Sequence, residues 1–171
     1  MLKQPIEREL DILLGQAFAG SRRALDMEMF FFGTEEPFID RHGRERTKSP
    51  YQLHVQCPWR IVCSDRLVVG YRDVRNPPTG VSEDDFNPNE AQVTRRDEML
   101  ASFYAQATKP RTVDACEART TGDVRLILND GCILELFPDR SFDDDPEYWR
   151  LITPEGVHIV MSGSGLERVG Q

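Results

Sequence analysis

Two histidines and two arginines are the side chains of this sequence with the best potential for acid–base chemistry. His54 and Arg60 stand six residues apart, and Arg150 and His158 stand eight apart near the C-terminus. An imidazole acts as a general acid or base when a carboxylate or a substrate lies beside it. Brought together, the four side chains would line a polar groove. The simpler expectation is that each strand histidine lies on a solvated face.

Acidic runs are the second chemical feature. The net charge is −8, and a basic partner would be attracted quickly to such a surface. Nucleic acid is not expected as a partner, because binding phosphates requires concentrated Lys and Arg. The acidic run Asp143-Asp-Asp-Pro-Glu147 also does not fit a calcium loop of the EF-hand type, because it lacks the spacing and the glycine of such a loop. The acidic residues predicted to contact a partner are Glu83, Asp84, Asp85, Asp143, Asp144, Asp145 and Glu147.

The sequence indicates no metal, no cofactor and no catalytic nucleophile. The four cysteines form no CxxC pair, and each lies in or beside an apolar run. We therefore expect free thiols that behave as small buried hydrophobes. The segment Ser162-Gly-Ser-Gly165 matches neither the nucleophile elbow GxSxG nor a phosphate-binding loop, so it predicts a turn near the chain end.

The elements that must position these residues contain an apparent repeat. The only two tryptophans occur as Trp59-Arg60 and Trp149-Arg150, and each pair is followed by an apolar residue, a turn and a short apolar run. In a strand, neighbouring side chains face opposite ways, so we expect each Trp in the core and each Arg outside, or the reverse. The pattern predicts two degenerate copies of one β-unit, over residues 16–75 and 112–168.

Further strands precede each tryptophan. Leu53-His-Val-Gln-Cys57 and Leu134-Glu-Leu136 alternate apolar and polar residues, which is typical of a half-buried strand. Each copy therefore reads as about five strands in an antiparallel meander, with an insertion from Thr34 to Pro50 in the first. Three turns are predicted in the second copy, at Thr121-Gly-Asp123, Asn129-Asp-Gly131 and Pro154-Glu-Gly156.

Two helices complete the prediction. Residues 76–111, between the copies, begin with a polar loop and continue as a helix from Asn89 to Gln106. The second helix precedes the first copy, from Ile6 to Leu14, and ends at Gly15. We expect both helices to cover sheet faces or edges.

A resemblance adds to this pattern. The segment Tyr51–Ile61, which includes Leu-His-Val-Gln-Cys-Pro-Trp-Arg-Ile, and the segment Glu147-Tyr-Trp-Arg-Leu151 resemble parts of a group of small uncharacterised bacterial proteins. The resemblance implies no activity and no catalytic residue. Similar small acidic β-rich proteins are suspected immunity or accessory proteins of bacterial competition loci, so it implies a binding role at most.

The sequence thus predicts one compact α+β domain over residues 1–171, mostly antiparallel, in which two similar units pack about a pseudo-twofold axis. No stretch of 18 apolar residues occurs and the N-terminus is charged, so we predict a cytosolic protein without a membrane span. The leading hypothesis is a non-catalytic module that binds a basic protein. The alternatives are a small-molecule binder or enzyme, with His54, Arg60, Arg150 and His158 in a cleft between the units, and a homodimer formed through a sheet edge.

Overall fold

The computed structural model describes residues 2–88, 90, 93–141 and 146–170, and it shows the expected α+β chain dominated by antiparallel strands. Its helices are α1 (Lys3–Leu10) and α2 (Arg95–Ala105), with 3-10 turns at Asp11–Leu13, Tyr71–Arg75 and Glu83–Asp85. The strands are β1 (Phe18–Ala24), β2 (Met27–Phe32), β3 (Glu36–Ile39), β4 (Glu45–Lys48), β5 (Tyr51–Val55), β6 (Trp59–Cys63), β7 (Arg66–Gly70), β8 (Val113–Ala118), β9 (Val124–Leu128), β10 (Ile133–Leu136), β11 (Glu147–Ile152), β12 (His158–Ser162) and β13 (Gly165–Val169).

The strands form two main sheets around one core. A six-stranded sheet has the order β1-β2-β5-β11-β12-β13, and a five-stranded sheet has the order β7-β6-β10-β9-β8. Phe30 of the first sheet meets Trp59 of the second edge-on, with 5.1 Å between ring centroids. The Trp149 indole nitrogen donates to the Gly122 carbonyl, 3.3 Å away. Apolar side chains from both sheets thus share one interior.

The predicted meander is corrected by this topology. Each predicted unit divides between the two sheets instead of forming one continuous series of neighbouring strands. The first unit gives β1, β2 and β5 to the larger sheet and β6 and β7 to the smaller one. The second unit gives β8, β9 and β10 to the smaller sheet and the remaining strands to the larger one. Alternation specifies which side chains face inward, but it does not specify the neighbouring strand.

Local patterning explains the strands themselves. In β9, Val124, Leu126 and Leu128 are buried while the residues between them are partly exposed, as period-two alternation requires. The turn to β10 falls at Asn129–Gly131, where Gly131 has a φ of +81° and donates its amide to the Leu128 carbonyl. All three turns predicted in the second copy lie between strands.

Both helices begin and end at different residues from those predicted. α2 starts at Arg95, because Thr94 and Asp97 form a reciprocal capping box that satisfies amides of the first turn. Asn89, Ala91 and Gln92, at the predicted start, lie outside the described residues. α1 begins earlier than predicted, and its continuation is a 3-10 turn that leaves Ile12 and Leu14 exposed.

The helices flank the two open sides of the sheet pair. α1 packs beside β8, and Arg168 of β13 lies 3.4 Å from Glu9. α2 packs beside β7, and its Tyr104 ring meets Phe18 of β1 edge-on. Each helix therefore lies between an edge strand of one sheet and an edge strand of the other, as the covering role predicted.

The expectation that all four cysteines are free thiols is wrong for two of them. Cys63 and Cys132 form a disulfide across β6 and the start of β10, with 4.2 Å between their Cα atoms. They extend the register that pairs Ile133 with Val62, so strand pairing brings them together. Cys57 and Cys116 are free, and burial raises the pKa of each thiol to about 12, which keeps both protonated.

The insertion of the first unit forms a separate hairpin. β3 and β4 pair only with each other, and all their residues are exposed. At the hairpin tip the Asp40 carboxylate accepts from the backbone amides of His42 and Arg44. Because the insertion joins the end of β2 to the start of β5, it projects from the end of the larger sheet opposite the β1–β2 turn. Neither helix in the described part of the chain is long and apolar enough to cross a membrane.

Candidate functional site

The predicted acidic segments leave the same end of the five-stranded sheet. β6 lies between β7 and β10 and is antiparallel to both, so β7 and β10 run parallel and end on the same side. Segment 76–93 follows β7 through the 3-10 turn, and segment 138–147 follows β10. Tyr71, directly after β7, and Asp139, after β10, line one cleft at this end.

The charge of the chain is concentrated in these two segments. Segment 76–93 carries four acidic residues and no basic one, and segment 138–147 carries five acidic residues and one arginine. Their net charge of −8 equals that of the whole chain, so the rest of the molecule is neutral in sum. We name this region the acidic end, defined among the described residues by Glu83, Asp84, Asp85, Glu90 and Asp139.

The individual acidic candidates have different environments. Glu83, Asp84 and Asp85 form an exposed 3-10 turn, whose Asp84 amide bonds to the Ser82 hydroxyl. Asp143, Asp144 and Asp145 lie outside the described residues. The prediction that Glu147 is a loop residue is corrected: Glu147 is the first residue of β11, where its carboxylate accepts from Arg150 and from Gln56.

Three of the four predicted groove residues come together on the larger sheet. His54 of β5 stands opposite Arg150 of β11, and His158 lies on the next strand, β12. The Arg150 guanidinium donates to Nδ1 of His158 at 3.1 Å and pairs with Glu147. The Nε2 atom of His54 lies 3.3 Å from the side-chain oxygen of Gln52. These side chains point away from the core, since their strand neighbours Leu53 and Leu151 are buried.

The pKa of His54 is shifted by its surroundings in this cluster. Its pKa is lowered first by burial, then by the positive charge of Arg150, while Glu147 partly opposes the shift. The neutral imidazole is therefore favoured near neutral pH. A neutral histidine beside a paired arginine is able to accept a proton, but His54 does not line the two clefts beside the β1–β2 turn or the two other clefts that border α2 and β8.

Arg60 is separate from the other three. It lies on β6 of the smaller sheet, opposite Glu135, with 2.5 Å between the Arg60 Nε atom and the nearer carboxylate oxygen. Its guanidinium also stacks 4.9 Å above the Phe137 ring. Glu135 accepts in addition from Arg125, at 3.2 Å. The predicted grouping of His54, Arg60, Arg150 and His158 in one cleft is thus wrong in its placement of Arg60, because the units divide between two sheets.

A different cleft lies at the acidic end. Its volume is about 650 Å³, and its walls come from the β1–β2 turn, the β5–β6 connection, the 3-10 turn after β7 and the loop after β10. We name it the hairpin cleft. Its apolar residues include Leu25, Met27, Pro58 and Tyr71. Sequence reasoning missed this cleft, because it is formed by four connections that are distant along the chain.

A narrower cleft beside it contains a buried ion pair. Glu28 of β2 and Arg96 of α2 are both buried, and the Arg96 Nε donates to Glu28 at 2.9 Å. Burial raises the pKa of Glu28, and the Arg96 guanidinium opposes that shift. The strand parity of β2 gives a signal for this pair, since Glu28 shares the inward face with Phe30 and Phe32. An acid on that face requires a partner.

Comparison with models of known protein families gave no match, and comparisons with curated proteins and with solved structures gave no significant match. Within the described ranges, no group of three or more His, Cys, Asp or Glu side chains is arranged to hold a metal ion.

Proposed function

We propose that this protein is a non-catalytic binding module that engages a basic protein through its acidic end. The observation that carries the proposal is that two segments, 76–93 and 138–147, contain the whole net charge of the chain and leave the same end of one sheet. Concentrated charge of one sign steers a partner of the opposite sign and sets its orientation. An immunity-like inhibitor of a basic partner fits this description.

We also propose that the chain is an internal duplication. Corresponding residues have corresponding partners: Trp59 pairs with Leu136 of the other unit, and Trp149 pairs with Val55. The two helices are also placed in a corresponding way. α1 precedes the first unit and packs beside β8, the first strand of the second unit. α2 precedes the second unit and packs beside β7, and its Tyr104 contacts Phe18 of β1, the first strand of the first unit. A matched register over both strand pairs supports an origin from one repeated unit.

The alternative of an enzyme or small-molecule binder in a cleft between the units has less support. Arg60 lies on one sheet, and His54, Arg150 and His158 lie on the outward side of the other. A homodimer through a sheet edge would use β1 or β13, the edge strands of the larger sheet. The predicted cytosolic location stays a prediction, and the Cys63–Cys132 disulfide counts against it, because disulfides are rare in reducing compartments.

The test compares charge-neutralised variants in an affinity capture from lysate at low salt. One variant carries E83Q, D84N and D85N, and a second carries D143N, D144N and D145N. The matched control, E35Q, E36Q and E45Q, removes the same charge from the exposed insertion, which projects from the opposite end of the larger sheet.

We expect the wild type and the control to retain a basic protein that a salt step releases, since surface charges are screened within about 10 Å at 0.1 M salt. Both acidic-end variants should release it at a lower salt concentration. Retention that is insensitive to salt, or that is reduced equally in the control, would contradict the proposal.

A further inference from the structure

The β1–β2 turn carries a leucine that neither the backbone nor the core requires. Ala24 pairs with Met27, so Leu25 and Asp26 form a two-residue turn, in which Leu25 has a φ of +54°. Glycine is favoured at such a position, and a residue with a Cβ is strained there. The Leu25 side chain is also 89% exposed, so no burial offsets this cost.

This leucine stands at the rim of the hairpin cleft. Met27, Pro58 and Tyr71 supply further apolar surface in the same cleft, and about 650 Å³ is a volume typical of sites that bind a ligand or a few side chains. The buried Glu28–Arg96 pair lies in the adjoining narrow cleft, which shares Leu25, Asp26 and Tyr71 with the hairpin cleft. The apolar rim thus rests on a strand that is tied to α2.

The charges around the hairpin cleft favour a basic occupant. Its charged lining residues are Asp26, Asp139 and Arg140; segment 76–93 follows the 3-10 turn that starts at Tyr71, and segment 138–147 contains Asp139. The adjoining narrow cleft adds Arg23, Arg75 and Arg96, of which Arg96 is paired with Glu28, so the negative charge that favours a basic occupant comes from the acidic segments. An apolar side chain between basic residues therefore complements both the surface and the charge.

We propose that the hairpin cleft is the anchor site for the partner, and that it takes an aromatic or large aliphatic side chain flanked by lysines or arginines. This inference rests on the proposed function and names the chemistry of the segment that is recognised. The acidic segments would contribute attraction at longer range. Leu25, Met27, Pro58 and Tyr71 would contribute the contact that distinguishes one basic segment from another, as a central apolar anchor does in protein interfaces.

The test measures binding of the full chain to synthetic peptides in which four lysines flank one central residue, either Trp, Leu or Gly. The decisive variant is Leu25→Gly, because glycine relieves the positive φ and should leave the melting temperature equal or higher. The control variant is Leu67→Ala, which removes another exposed leucine, located on β7 outside the hairpin cleft.

We expect the wild type and Leu67→Ala to bind the Trp peptide about tenfold more tightly than the Gly peptide, the scale of one interface hot spot. In Leu25→Gly this preference should fall to about twofold or less. Equal, salt-sensitive binding of Trp and Gly peptides by the wild type would overturn the anchor site and leave the proposed function standing. Absence of peptide binding at low salt would also overturn the anchor site, and the lysate capture would then judge the proposed function separately.

Discussion

The strands β6 and β11 carry the same Trp-Arg dipeptide in corresponding registers, yet their outward faces differ in chemistry. Arg60 stands opposite Glu135, whereas Arg150 stands opposite His54. On the smaller sheet, Glu135 accepts from both Arg60 and Arg125. On the larger sheet, Arg150 reaches its acid, Glu147, three residues away along its own strand, and also contacts His158.

The difference shows how one backbone arrangement supports two kinds of polar surface. An acid directly opposite an arginine neutralises the arginine's charge across the strand pair at any pH above the pKa of the acid. A histidine in that place leaves the arginine without a counterion on the facing strand and makes the surface depend on pH. The buried Arg150 Nε atom has no hydrogen-bond partner among the described residues, which agrees with a less completely paired site.

The largest expected difference concerns the two tryptophans. The Trp149 ring is fully buried and its indole N–H bonds to the buried Gly122 carbonyl, whereas Trp59 borders the narrow cleft. Trp149→Phe should lower the free energy of unfolding by about 3 kcal/mol, through a cavity and a lost hydrogen bond. Trp59→Phe should cost about 1–2 kcal/mol. Urea denaturation of both variants measures the difference, and equal losses would show that the two positions are energetically equivalent.

A smaller effect is expected at Glu135. Glu135→Gln leaves Arg60 and Arg125 without their shared carboxylate, and we expect a loss of about 1 kcal/mol, since both arginines are partly exposed. Glu117→Gln is the control, because Glu117 is half-exposed and, among the described residues, forms an ion pair with Arg125 only; its loss should stay below about 0.5 kcal/mol. Thermal unfolding at low and high salt compares them. An equal loss of stability in the two variants would show that the shared carboxylate of Glu135 contributes no more than a single surface ion pair.

The smallest effect is a pH dependence that only the larger sheet should show. Because the folded-state pKa of His54 is lowered, the unfolded chain takes up its proton more readily, so unfolding becomes easier as the pH falls below about 6.5. His54→Gln should show a shallower fall in melting temperature between pH 7.5 and 5.5. His42→Gln, in the exposed hairpin tip, is the control and should follow the wild type. A wild-type slope in both variants would rule out this role of His54.

Much of the fold was predictable from local patterns. Alternation identified β5 and β10, and the turn residues at Asn129–Gly131 and Pro154–Gly156 separated the correct strands. The division of each unit between two sheets was not predictable, because side-chain parity is the same whichever strand lies alongside. The Cys63–Cys132 disulfide was missed for that reason: it depends on the pairing of β6 with β10, and the two residues are 69 apart in sequence.

The candidate site was predictable only in its charge. Composition identified the acidic segments, and the strand ends then brought them to one side. Leu25 was not predicted as a site residue, because a leucine in a sequence gives no indication of a positive φ or of an exposed side chain. The absence of Gly or Asn between the strands ending at Ala24 and beginning at Met27 is the one signal that would have suggested an unusual turn.

The disulfide also gives the chain a second connection between its halves. Cys63 belongs to the first unit and Cys132 to the second, so segment 76–93 and α2 both lie inside the covalent ring that the two sulfurs close. A peptide bond cut within segment 76–93 would therefore leave one molecule under oxidising conditions and two fragments after reduction. The same ring makes this segment a place where new chain ends or an inserted domain would not separate the two units.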